Sequence, residues 1–123
     1  NDWSNSLFLS QDQVALESVC YDFLRTEWNG INKHDPQNNR PENGPNWNGV
    51  DDYLHQAADP LNWPEGIVYD PDNSGKPLAS MGVHEHWNDP ARKQYSRNLG
   101  KALGIELVSI PDTLVKNETQ PKK

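Results

Sequence analysis

The pattern of apolar and polar positions predicts regular structure most clearly near the start of the chain. Apolar residues recur there at spacings of three and four and predict one face of a helix that ends near Glu27. These residues are Leu16, Val19, Cys20, Phe23 and Leu24. Ser10 and Gln13 have the spacing of a capping box, which predicts that the helix begins at Ser10.

Two further helices and three short strands are predicted from weaker signals. Residues 50–58 carry apolar positions on one side, and Asp51 and Asp52 occupy the first turn, where the helix dipole favours anions. Asp89 and Pro90 predict the start of a third helix that ends at Gly100 or Gly104. Short apolar runs predict strands at 6–9, 67–69 and 105–110. The expected fold is therefore a loop-rich α+β or mixed α/β domain, with about three helices and a few short strands.

Composition limits the size of the core that this chain can build. The 123 residues have the size of one domain, but only 33% are hydrophobic. The mean hydropathy is −0.96. We therefore expect residues 1–111 to be a single domain or the C-terminal part of a larger domain, and residues 112–123 to be a polar, frayed tail. The expected partner is the missing N-terminal part of the same polypeptide or a second copy of the chain.

The charge balance excludes some classes of partner. The formal net charge is −7, which argues against nucleic acid or an anionic membrane as the main partner. No apolar run is long enough to predict a membrane span. The lone Cys20 excludes an intramolecular disulfide, and its place on the apolar helix face predicts a buried structural thiol.

A pair of histidines is the main candidate for chemistry. If the segment around them is extended, His84 and His86 project from the same side, about 6–7 Å apart. The candidates for further metal ligands are His55 and Asp51, one helical turn apart, and Asp89. A divalent metal at this group would be zinc, iron, nickel or manganese. A structural polar turn and acid–base catalysis remain open alternatives, so the sequence does not decide whether the protein is an enzyme or which residues are catalytic.

Other candidate sites have plainer alternatives. The run Asp70-x-Asp72-x-Ser74-Gly75 is similar to the first half of a calcium loop, but its twelfth position is a methionine, so an Asx-type turn is preferred over calcium. Arg97 and Trp87 are predicted to orient a bound carboxylate or phosphate. For Arg97 the alternative is an ion pair with a nearby acidic residue, Glu85 or Asp89.

Two function classes compete with a metal site. An extracellular glycan-binding module would expose Trp47, Trp63 and Trp87 on one surface. A purely structural interaction domain would bury all three.

Six ordered blocks of the sequence resemble the bacterial domain-of-unknown-function family 362, between Trp3 and about Val108. They are SLFLSQDQVA (6–15), YDFLR (21–25), GVDDYLH (49–55), GVHEHW (82–87), QYSRNLG (94–100) and GIEL (104–107). The resemblance implies the C-terminal portion of a longer α/β protein, in some members linked to ferredoxin-like iron–sulfur modules, and a periplasmic or secreted location. It implies no catalytic residues, and the cysteine motif of the ferredoxin-linked members is absent from this chain.

Overall fold

The computed structural model of the chain describes residues 6–27 and 50–110. Contacts group these residues into two units, one that extends to His86 and one that begins at Trp87. The predicted tail at 112–123 and Trp47 lie outside the described residues. In the part of the chain that is described, no helix has the length and apolar character needed to cross a membrane.

Helix α1 spans Gln13–Glu27 and ends where the apolar periodicity predicts. Its start differs from the prediction, because the cap is Asp12 and not Ser10. The Asp12 Oδ1 atom accepts the Ala15 backbone N–H at 2.9 Å, and the Ser10 hydroxyl oxygen instead accepts the Asp12 N–H at 3.0 Å. A carboxylate is a stronger acceptor at a helix N-terminus than a hydroxyl, since its charge also interacts with the helix dipole.

The buried face of α1 is more polar than the predicted apolar stripe. Of that stripe only Val19 is fully buried. The other buried residues of α1 are Val14, Ser18, Tyr21 and Asp22. Two polar side chains therefore point into the interior, and each needs a hydrogen-bond partner there.

Helix α2 spans Val50–Ala58, which confirms the predicted bounds and the two acidic residues of its first turn. Leu54 forms the small apolar core of the first unit together with Val14 and Tyr21 of α1. The Tyr53 hydroxyl also donates a hydrogen bond to the Glu17 carboxylate, so a polar contact joins the two helices at the surface. A short 3-10 helix, Pro60–Asn62, follows α2 and is capped by Asp59.

The segment that carries His84 and His86 is attached to both helices. The Met81 N–H donates to the Ala57 carbonyl at 2.9 Å, near the end of α2. The Val83 N–H donates to Asp12 Oδ2 at 2.9 Å, so the carboxylate that caps α1 also holds this segment. Gly82 has φ +156°, and a Cβ atom there would overlap the Asp12 carboxylate. The close approach therefore requires glycine.

The expectation of an α+β or mixed α/β fold is wrong for the described residues. No sheet forms in 6–27 or 50–110, where the one β-bridge recorded is an isolated pair between Asp89 and Gln94. The runs at 6–9, 67–69 and 105–110 do not form strands, because a strand is stable only with a partner to pair with. At Leu107 the backbone N–H and carbonyl bond instead to the side-chain amide of Asn98, at 3.0 and 2.9 Å.

The predicted third helix is also wrong. Asp89 and Gln94 close a tight turn, in which the Gln94 N–H donates to the Asp89 carbonyl at 3.0 Å and the Asp89 N–H donates back. Lys93 adopts φ +54° in this turn, which a continuing α-helix does not allow. As far as residue 110, the one helical element that follows is the 3-10 turn Arg97–Leu99, which ends at Gly100 in the left-handed conformation. Tyr95 and Ile105 are the buried apolar residues in the described part of this second unit.

Candidate metal centre

Four potential metal ligands converge in the first unit, on the elements that the sequence predicts for them. Asp51 and His55 lie one turn apart on α2, and His84 and His86 project from the irregular segment that follows Gly82. One ligand atom from each residue lies within 4.8 Å of the ligand atoms of the other three. The structure therefore shows a possible metal-binding cluster made of four of the residues named from the sequence.

The distances from Asp51 to the three imidazoles fit a small metal ion. The Asp51 Oδ1 atom lies 3.2 Å from His84 Nε2, 3.1 Å from His86 Nε2 and 3.7 Å from His55 Nε2. Ligand atoms about 2.0–2.1 Å from a tetrahedral ion lie about 3.3 Å from one another. The separations from Asp51 therefore bracket the edge length of a tetrahedral site.

The imidazole rings meet edge to face and do not stack. The ring centroids of His55 and His84 are 4.4 Å apart at 89°, and those of His84 and His86 are 5.0 Å apart at 82°. With the Nε2 atoms directed at one carboxylate oxygen, this arrangement brings nitrogen lone pairs together, as ligands around a shared ion require.

Ser18 holds the Nδ1 atom of His84. The Ser18 hydroxyl donates to the Val14 carbonyl at 2.7 Å, which uses its single proton. With that proton used, its oxygen is free to accept a hydrogen bond from His84 Nδ1–H, also at 2.7 Å. In this tautomer, the one that metal binding needs, the Nε2 lone pair faces the centre.

Asp22 supports His86 in the same way. Its buried Oδ1 atom accepts a hydrogen bond from His86 Nδ1 at 2.8 Å, so Nε2 is the nitrogen directed at Asp51. Metal-bound histidines commonly donate their second ring N–H to a carboxylate, which orients the ring and makes it a better ligand. Ser18 and Asp22 are four residues apart, so a single face of α1 supports both histidines.

The electrostatics of the cluster favour neutral His84. Burial lowers the pKa of His84, and the neighbouring His55 and His86 lower it further, while Asp51 acts in the opposite direction. A neutral imidazole with its proton on Nδ1 directs a lone pair at the Asp51 carboxylate, which also carries only lone pairs. The separation of 3.2 Å fits two ligand atoms of one cation, and in the metal-free protein it equally fits an Nε2–H that donates to Asp51.

Comparison of the chain with protein-family models, curated proteins and solved structures finds no match.

The other predicted site residues, Asp89 among them, are not members of this cluster. In the calcium-like run Asp70 accepts hydrogen bonds from the backbone N–H groups of Ser74 and Gly75, at 3.1 and 2.8 Å. Hydrogen bonds from Ser74 also lower the pKa of Asp72. The run forms the preferred Asx-type turn.

Arg97 and Trp87 belong to the second unit and are not members of the cluster. The Arg97 Nη2 atom forms an ion pair with Glu106 Oε2 at 3.2 Å, and both side chains are half exposed. The ammonium group of Lys93 lies 5.8 Å from the Trp87 ring centroid. Their predicted role in orienting a ligand stays a prediction.

Trp63 and Cys20 have structural contacts of their own. The Trp63 indole N–H donates to the Gln56 carbonyl at 2.9 Å, and the ring lines an apolar pocket of about 190 Å³. Burial raises the pKa of the partly buried Cys20 thiol, and the charge of Glu17 adds to this effect. A raised pKa keeps the thiol protonated and makes it a weak nucleophile, in line with a structural role.

Proposed function

We propose that this chain binds one divalent transition-metal ion, with zinc favoured, through Asp51, His55, His84 and His86. The observation that carries the proposal is the convergence of three imidazole Nε2 atoms on one carboxylate oxygen at 3.1–3.7 Å. This arrangement is supported by Ser18 and Asp22, which bond the second nitrogen of His84 and of His86.

The donor set favours zinc over the hard cations. Calcium and magnesium take six or more ligands that are mostly oxygen atoms. Three imidazoles and one carboxylate are suited to zinc, with iron, nickel and manganese as alternatives. Zinc is preferred because the separations fit a four-coordinate site.

We infer that the ion stabilises the first unit. The apolar core that joins its helices consists of Val14, Tyr21 and Leu54, with two alanines packed against it. Binding of a structural zinc ion contributes about 10–16 kcal/mol in small zinc domains at neutral pH, which is comparable to the whole stability of a small protein. A metal that links α2 to the segment at 84–86 would therefore contribute strongly to the folding of the first unit.

The wider setting is part of the same proposal. The resemblance to the domain-of-unknown-function family 362 supports a bacterial protein, periplasmic or secreted, in which this chain contacts an N-terminal part of its own polypeptide or a second copy. The carbohydrate-binding and purely structural alternatives have no contact in the described residues that favours them over metal binding.

The test is metal stoichiometry with a matched pair of variants. The chain is purified without a histidine tag, stripped with a chelator, loaded with zinc and dialysed, and the bound metal is measured by mass spectrometry. We expect one zinc ion per chain in the wild type, an affinity at least about 100-fold lower in Asp51→Asn, and an unchanged affinity in Asp52→Asn, its neighbour on α2. Absence of bound zinc in the folded wild type, or equal effects of the two substitutions, would refute the proposal.

A further inference from the structure

We infer that His55 is an exchangeable ligand, so that a metal held by Asp51, His84 and His86 offers its fourth coordination position to a small external ligand with one oxygen or nitrogen donor atom. This inference rests on the proposed metal site and goes beyond it. It makes the centre a place where a ligand can bind, in addition to a structural link.

The first support is the difference in how the histidines are held. Ser18 bonds the Nδ1 atom of His84, and Asp22 bonds that of His86. Among the contacts of the described residues, the one recorded ionic or hydrogen-bond partner of the His55 ring is Asp51, itself a member of the cluster. An imidazole whose second nitrogen has no hydrogen-bond partner can still rotate, and it loses that rotational entropy when it binds a metal. The loss weakens its coordination.

The second support is a gradient of exposure across the centre. The side chain of His84 is 1% exposed, that of Asp51 21% and that of His86 31%, whereas that of His55 is 51% exposed. Solvent therefore reaches the centre from the side of His55. The other ligands are fixed deeper in the unit.

The third support is distance. His55 Nε2 lies 3.7 Å from Asp51 Oδ1, while the corresponding atoms of His84 and His86 lie at 3.2 and 3.1 Å. His55 is thus the histidine farthest from Asp51, although its ring lies close to that of His84, with centroids 4.4 Å apart. Three protein ligands with an accessible fourth position distinguish reactive zinc sites from closed structural ones.

The experiment uses cobalt(II) as a visible probe of coordination, since four-coordinate cobalt absorbs more strongly than cobalt with added water ligands. The full chain is titrated with cobalt as wild type, His55→Ala and His84→Ala, and imidazole is then added to each. We expect His55→Ala to keep cobalt with about a 10-fold loss of affinity and a weaker spectrum, because the opened position admits more than one water molecule and raises the coordination number above four. A fully held ligand in a four-ligand site is worth on the order of 100-fold or more, which is the loss expected for His84→Ala.

Imidazole discriminates between the two variants. It should restore the four-coordinate spectrum in His55→Ala, where the vacated position opens to solvent, and not in His84→Ala, where the position is buried. Circular dichroism checks the fold, and Asp51→Asn replaces His84→Ala as the reference if the latter fails to fold.

The possible failures are distinguishable. If the folded wild type binds no cobalt or zinc, the metal site itself is refuted. If the wild type binds metal but His55→Ala loses it as completely as the reference variant, or imidazole leaves its spectrum unchanged, the exchangeable ligand is refuted and the metal site remains.

Discussion

Ser18→Ala should separate metal affinity from fold stability more clearly than any substitution of a ligand. Ser18 is fully buried on α1 and lies 2.7 Å from Nδ1 of His84, whose side chain is almost inaccessible to water. Removing the hydroxyl leaves the Nδ1–H of His84 without its acceptor. A buried donor without a partner costs about 1–3 kcal/mol.

His84 can avoid that cost by moving its proton. In the other neutral tautomer the proton resides on Nε2, which lies 3.2 Å from Asp51 Oδ1 and can donate to it. The metal-free variant then regains a hydrogen bond, so its free energy of unfolding should fall by less than about 1 kcal/mol. The nitrogen that would bind the metal is now protonated, however. Zinc affinity should therefore fall by about 10–100-fold, equivalent to roughly 1.4–2.8 kcal/mol.

Three measurements check this reasoning. Competition with a chromophoric chelator gives zinc affinity, urea denaturation of the metal-free protein gives stability, and nitrogen-15 NMR of the imidazoles reports the tautomer directly. Ser74→Ala, an exposed serine in the Asx-type turn, is the matched control and should change none of the three. Unchanged zinc affinity in Ser18→Ala, or a wild-type His84 with its proton on Nε2, would refute the reasoning.

Three further expectations follow from the first unit. Gly82→Ala should lower the free energy of unfolding of the metal-free protein by about 2–3 kcal/mol in urea denaturation, because the new Cβ atom displaces the Asp12 carboxylate and weakens the α1 cap. The control is Gly66→Ala, where φ is +77° and the space around the residue is open, and the free energy of unfolding should fall by only about 1–2 kcal/mol. Zinc at about 100 times its dissociation constant should raise the free energy of unfolding by about 2.7 kcal/mol, and no shift would contradict metal binding to the folded state. In the unfolded chain His84 has its ordinary pKa of about 6.5, whereas burial lowers its pKa in the folded chain. As the pH falls below about 6.5, the unfolded chain therefore takes up a proton at a higher pH than the folded chain does. Stability of the metal-free protein should therefore decline as pH falls through that window, and a flat profile from pH 7 to pH 5 would contradict this.

The two helices were predictable from the sequence because their signals are local. The bounds of α2 follow from its first-turn acids and short apolar periodicity. The start of α1 was misplaced by two residues, since Asp12 and Ser10 both have cap chemistry and only the structure shows which one accepts the Ala15 N–H.

The strand predictions failed because a strand is stable only when it pairs with another strand, which need not be near it in the sequence. The alternation at 105–110 is typical of a half-buried strand, yet its central backbone groups bond to the amide of Asn98. A side-chain amide reproduces the donor and acceptor of a neighbouring strand, and apolar periodicity contains no information about such a substitute. The third helix failed for a similar reason, because the pairing of Asp89 with Gln94 outweighed a favourable N-terminal signal.

The four candidate ligands were accessible to sequence reasoning, whereas the two residues that support them were not. His84 and His86 stand out by their spacing, and Asp51 and His55 by their position on one helix face. Ser18 and Asp22 give one usable signal, namely two polar residues a helical turn apart on a helix that also carries apolar residues. Periodicity treats such residues as solvent-exposed, so it assigned the buried face of α1 incorrectly.

The misassigned face of α1 also shows what organises the first unit. Burial of Ser18 and Asp22 is costly unless each side chain has a partner, and for both of them the recorded partners include a histidine of the cluster. Meanwhile large apolar residues such as Leu61 and Val68 remain mostly exposed in the same unit. A fold driven by apolar burial alone would bury the large apolar residues and leave the polar ones exposed. The interior of the first unit is therefore arranged to hold His84 and His86 in position, which is the arrangement that the proposed metal site requires.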